Sequence, residues 1–98
     1  MKSIKRNVCV VGAGKWGKNH VRTLNGLGVL GGIVEQDSVL IESNKKLYPE
    51  IDYYSTVDES FAGDFDGYVV ATPAHTHFEL AKKIILAGKH LLHTDHKR

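Results

Sequence analysis

Four apolar residues, Val8 to Val11, run without a polar break into three glycines at Gly12, Gly14 and Gly17, within the segment VCVVGAGKWGKNH. A strand that is apolar at every position, rather than at alternate ones, is covered on both faces. Such strands belong to parallel sheets that carry helices on both sides. Beyond the glycines, His20, Val21, Leu24 and Leu27 recur at helical spacing, and Asn25, Gly26 and Gly28 form a helix stop. The segment therefore reads as a buried strand from Asn7 to Val11, a glycine loop, and a helix from Trp16 to Leu27.

The rest of the chain repeats the alternation. Val29–Glu35 (VLGGIVE) reads as a second strand, and its paired glycines call for a close neighbour. Asp37 or Ser38 is suited to cap a helix that ends at Leu47, with Pro49 beyond it. Ile51–Tyr54 reads as a short third strand in which one of Tyr53 and Tyr54 packs inward and the other stays out. Thr56–Phe61 reads as a helical turn with Asp58 and Glu59 at its start. Gly67–Ala71 is the fourth strand. His75–Ala87 is a helix whose buried face is expected to hold Phe78, Ala81, Ile84 and Ile85, with Gly88 as its stop. His90–His93 completes a fifth strand. Short connections between alternating strands and helices specify an α/β doubly wound parallel sheet of about five strands in a single domain, with the order 3-2-1-4-5.

Composition removes several function classes. The chain has 98 residues, a formal net charge of +2, and Lys and Arg scattered along its length, which speaks against a nucleic-acid partner. The single cysteine, Cys9, lies in the first apolar run and reads as a small core residue, so no internal disulfide forms. No apolar stretch reaches the ~20 residues of a membrane helix, and a cytoplasmic location is expected. His75 with His77, and His90, His93 and His96, invite a metal reading. No cysteine pair or H-E-x-x-H accompanies them, so no metal site is assigned. The pair Lys82 and Lys83 reads as a solvated helix face.

Gly12, Gly14 and Gly17 form G-x-G-x-x-G between a strand and a helix, the setting in which this pattern carries weight. Gly12 permits the turn out of the strand, Gly14 lets a pyrophosphate approach the backbone, and Gly17 brings helix and strand together. The unpaired amides and the dipole at the helix start favour a diphosphate. Glu35 ends the second strand about 20 residues further on, where a carboxylate accepts hydrogen bonds from the adenosine ribose. Its charge favours NAD over NADP, and Lys15 softens that preference enough to keep NADP open. Methyltransferases and some CoA-binding domains use similar loops.

The stretches GAGKWGKNHVRTL and ATPAHTHFELAKKIILAGKHLL resemble the N-terminal NAD(P)-binding Rossmann domain of the Gfo/Idh/MocA oxidoreductases, closest in form to those acting on nucleotide sugars. The resemblance spans Asn7 to Leu92. It implies that Gly12, Gly14, Lys15, Trp16 and Gly17 line the diphosphate and that Glu35 holds the ribose. It also implies that Ala71, Thr72, Pro73 and His75 face the nicotinamide half, with His77 at the start of the next helix. Trp16 has a plainer reading as an aromatic packed on the core. In the resembled family a second domain supplies most of the substrate pocket and an acid/base, and the fifth strand runs into Glu-Lys-Pro. Here Thr94, Asp95 and His96 stand at those positions, and a carboxylate cannot replace a cationic lysine. The expectation is a truncated chain that holds dinucleotide but does not turn over, assigns no catalytic residue, and meets a sugar or nucleotide sugar only if a second domain is supplied. The competing reading is a non-enzymatic NAD(H)-binding or dimerising module, with an uncovered sheet edge that favours a homo-oligomer. A methyltransferase-like domain is a third, disfavoured because ATPAHTH has no role in it.

Overall fold

In the computed structural model, residues 6–15 and 17–94 are described, without the side chains of the last two. Five strands and four helices alternate along the chain: β1 (Val8–Val11), α1 (Gly17–Gly26), β2 (Leu30–Val34), α2 (Ser38–Leu47), β3 (Asp52–Tyr54), α3 (Val57–Ser60), β4 (Gly67–Val70), α4 (Ala74–Leu86) and β5 (His90–Thr94). A 3-10 turn at Phe61–Gly63 follows α3. The strands form one parallel sheet in the order β3-β2-β1-β4-β5, as the alternation requires.

The unbroken apolar character of β1 has a direct structural cause. Val8 and Val10 face one core with Val21, Leu30, Ile33, Ile51 and Val69. Cys9 and Val11 face a second core with Val57, Phe65, Tyr68, Val70 and Ile84. Helices cover both faces, so neither set of alternate residues meets water. Burial pushes the Cys9 thiol well above its ordinary value, and it remains a protonated core side chain. Beside it, the buried Ser60 hydroxyl donates to the Val57 carbonyl at 2.6 Å and lies 2.9 Å from the Tyr68 hydroxyl. Since the Ser60 proton is committed to Val57, Tyr68 donates to Ser60. No buried side-chain polar atom is left without a partner among the described residues.

The paired glycines of β2 have their close neighbour. The β1–β2 register passes from Val8 opposite Leu30 to Cys9 opposite Gly32, so Gly31 is the extra residue of a bulge. The Phe65 ring lies across both glycines: a Cβ on Gly32 would meet its Cζ at 2.6 Å, and one on Gly31 its Cε1 at 2.9 Å. Caps define the helices. Asp37 Oδ1 accepts from the Val39 amide at 2.9 Å. Thr56 and Glu59 form a reciprocal capping box on α3.

Two expectations are corrected. The buried face of α4 is centred on Ile84, with Leu80 packed against the same core, whereas Phe78 and Ile85 are 72% and 59% exposed. Positions 77, 80, 81 and 84 make a helical stripe as good as 78, 81 and 85, and the sheet selects the first. Tyr53 and Tyr54 are both half-buried, one against each core, because both faces of β3 are covered. The Tyr53 hydroxyl, 2.9 Å from the Asn44 carbonyl and 2.7 Å from the Tyr48 carbonyl, satisfies the end of α2. Among the described residues no helix is long and apolar enough to cross a membrane.

Truncating Phe65 to Ala should lower the unfolding free energy by about 3–5 kcal/mol in urea titration. Gly32→Ala should also destabilise, because its methyl group meets the ring. The double variant should lose less than the sum, as the new methyl partly fills the vacated space. Strict additivity would show that ring and glycines are not packed together.

Candidate functional site

The carboxyl ends of β1, β2 and β4 meet at the point where the strand order reverses, with β2 on one side of β1 and β4 on the other. Open α/β sheets bind their ligands at this crevice. Backbone bonds fix its floor: the Gly12 amide donates to the Val34 carbonyl and the Ala71 amide to the Val11 carbonyl, each at 2.8 Å.

The glycine loop leaves β1 through Gly12, whose φ of +98° is closed to most L side chains. A Cβ there would also meet the Ala71 carbonyl oxygen at 2.9 Å and Thr72 Cγ2 at 3.0 Å. A Cβ on Gly17 would overlap the Gly12 carbonyl, so helix α1 starts hard against the exit of the strand. Gly14 differs. A Cβ there would touch protein only at Leu40 Cδ1, at the ordinary distance of 3.7 Å. The fold itself does not require a bare backbone at Gly14, which leaves a cradle that a side chain would fill. The Lys18 amide donates to the Gly14 carbonyl at 3.0 Å, so the helical bonding starts at Gly14 and the amides of the first turn face outward from the helix. Lys15 is exposed at the rim. Trp16 lies outside the described residues.

Glu35 stands just past β2 with its carboxylate held at both oxygens. Oε1 accepts from the Ala13 amide at 2.8 Å, and Oε2 accepts from the Asp37 amide at 3.0 Å. A carboxylate offers about four lone-pair sites, so each oxygen retains capacity for a further donor. The anchored acid is thereby tied to the glycine loop itself.

The β4–α4 connection forms the other wall. Ala71 is buried, Thr72 half-buried, and Pro73 and His75 exposed at the rim. The Thr76 hydroxyl donates to the Pro73 carbonyl at 2.7 Å. Its proton is thus used, and the Thr72 hydroxyl, 2.6 Å away, donates to it. His77 turns its ring back onto the loop, with Nε2 at 2.7 Å from the Thr72 carbonyl. Two participants have no place in the motif reading: the Ala13 amide that fixes Glu35, and Thr76. Thr76 had a signal, since a threonine three residues after Pro73 can return its hydroxyl to that carbonyl. Among the described residues no three His, Cys, Asp or Glu side chains are grouped to hold a metal ion.

The model of an oxidoreductase family, GFO_IDH_MocA, with an NAD-binding Rossmann fold, matches residues 6–93. No curated protein matches the chain. Among solved structures, the chain is similar to GenD2 from gentamicin A biosynthesis in complex with NAD, with a TM-score of 0.82 and 30% identity, over 93% of this chain and 27% of that one. It is similar to the WlbA dehydrogenase from Bordetella pertussis in complex with NADH and UDP-GlcNAcA, with a TM-score of 0.78 and 24% identity, over 91% of this chain and 29% of that one. The fold is shared also with myo-inositol 2-dehydrogenase from Lactobacillus plantarum, at a TM-score of 0.81 and 22% identity, over 91% of this chain and 27% of that one. The chain therefore spans less than a third of the length of each of these structures.

Replacing Gly17 by Ala should displace the Gly12 carbonyl and lower stability by roughly 2–3 kcal/mol in chemical denaturation. Gly14→Ala, with only an ordinary contact to make, should stay within about 1 kcal/mol of the parent. Equal losses at the two positions would contradict the close approach of helix and strand.

Proposed function

Because the chain belongs to the Gfo/Idh/MocA oxidoreductase family and matches its NAD-binding Rossmann domain, we propose that it is the coenzyme-holding part of an NAD-dependent dehydrogenase acting on sugars or nucleotide sugars. The observation that carries this reading is the pairing of a side-chain-free cradle at Gly14 with the anchored carboxylate of Glu35. One site suits a diphosphate and the other a ribose diol. The sugar class follows from the resemblance, and is supported by the UDP-GlcNAcA in the WlbA complex and by the name of the inositol dehydrogenase.

The bound coenzyme supplies hydride transfer to and from its nicotinamide ring. The chain's own residues bind and orient. The first-turn amides of α1, with the partial positive charge of the helix end, receive the diphosphate. Glu35 accepts hydrogen bonds from the ribose hydroxyls. Because two amides hold it in place, it does not swing aside for a 2′-phosphate, and NADP is disfavoured by charge. Ala71, Thr72, Pro73 and His75 frame the crevice toward the nicotinamide half. Asp95, standing where the resemblance puts a lysine, offers no cationic donor for proton transfer, so the chain holds the coenzyme without oxidising sugar on its own.

One observation favours the second reading, a binding module that self-associates. Phe78, Ile85, Leu86 and Leu92 are all more than half exposed along α4 and the edge strand β5.

Calorimetric titration should show uptake of NAD and NADH, at least tenfold weaker uptake of NADP, and none of S-adenosylmethionine. Glu35→Ala should weaken NAD by about ten- to a hundredfold, the range for hydrogen bonds to a charged group. Gly14→Val should abolish binding. Retained affinity in either variant removes that residue from the site. Incubation with NAD and a panel of sugars and nucleotide sugars should form no NADH, and steady formation would refute the absence of turnover.

A further inference from the structure

The Ala71–Pro73 segment has different supports from the glycine loop it touches. The glycine loop is held by two backbone contacts, the Gly12 amide on Val34 and the Gly17 approach to the Gly12 carbonyl, and by the Glu35 carboxylate, which accepts from the Ala13 amide. Beyond Ala71, the carbonyls of Thr72 and Pro73 are held by the α4 side chains of His77 and Thr76, together with the Thr76 amide, which donates to Pro73 at 2.9 Å. We infer that His77 is a positioning residue for the nicotinamide half of the coenzyme site: it clamps the Thr72 carbonyl from behind rather than touching the coenzyme.

The direction of the bond is fixed by chemistry. A carbonyl oxygen only accepts, so His77 Nε2 carries the proton that makes the 2.7 Å contact. The ring is half-buried, and the clamp reaches five residues back across the start of α4. Thr72 in turn packs its Cγ2 beside Gly12. Freeing the Thr72 carbonyl therefore lets the far wall of the crevice move, while the diphosphate cradle keeps its own anchors.

The inference rests on the coenzyme reading above, and the test separates the two. NADH and ADP-ribose, which lacks the nicotinamide, are titrated into the parent chain, His77→Phe and His77→Gln. Phe keeps a ring without the donor, and Gln supplies an amide donor at similar reach. NADH should bind about five- to tenfold more weakly to His77→Phe, the loss of one hydrogen bond's worth of order, with ADP-ribose unchanged within twofold. His77→Gln should recover most of the NADH affinity. Equal weakening of both ligands, or no weakening of NADH, or failure of Gln to recover it, overturns the inference. If the parent binds neither ligand, the coenzyme reading falls. The clamp is then judged by hydrogen exchange at the Thr76 amide of the ligand-free chain. Faster exchange in His77→Phe, with β1 amides unchanged, upholds it, and unaltered protection refutes it.

Discussion

The contact between the Gly12 carbonyl and the α-carbon of Gly17 governs the rest of the structure. It brings the start of α1 onto the end of β1, which no residue with a side chain at position 17 permits. From that contact follow the left-handed turn at Gly12, the outward amides of the first helical turn, and the seating of Ala71 and Thr72 against the loop. A helix set back by the width of a methyl group would leave the same dipole pointing at the same crevice from further away.

Two walls face each other across this contact, and they are built on different principles. The wall made by the glycine loop is mainly backbone on backbone, and its side-chain tie among the described residues, Glu35, comes from just past the neighbouring strand. The wall made by the β4–α4 connection leans on the hydroxyls of Thr72 and Thr76 and on the His77 ring. Backbone supports survive most substitutions, whereas side-chain supports do not. A fold organised in this way can keep its glycine loop in place while the second wall is retuned.

Much of this was legible in the residues themselves. The unbroken apolar runs of β1 and β4 demanded cover on two faces, and with five strands and short crossovers few orders besides 3-2-1-4-5 remain. The Gly31–Gly32 pair announced a close neighbour without naming it, since Phe65 comes from a loop more than 30 residues away in sequence. The buried face of α4 does not follow from its residues, because two apolar stripes compete on that helix and only the position of the sheet chooses between them. Tyr53 and Tyr54 do alternate across β3, but the sheet is covered on both sides, so each packs against a core and neither side chain is left out in water. The double anchoring of Glu35 was out of reach, because it depends on an amide, and every residue but proline carries one.

The ring of Phe65 has a bearing on how the chain assembles. With no side chains at Gly31 and Gly32, the second strand has a trench on one face, and the group that fills it arrives only with the segment leading into β4. The first β-α-β-α-β stretch, made alone, would leave that trench wet and its bulge unsupported. The two halves of the sheet are thus interlocked rather than stacked, and the domain is expected to form in a single cooperative step rather than half by half.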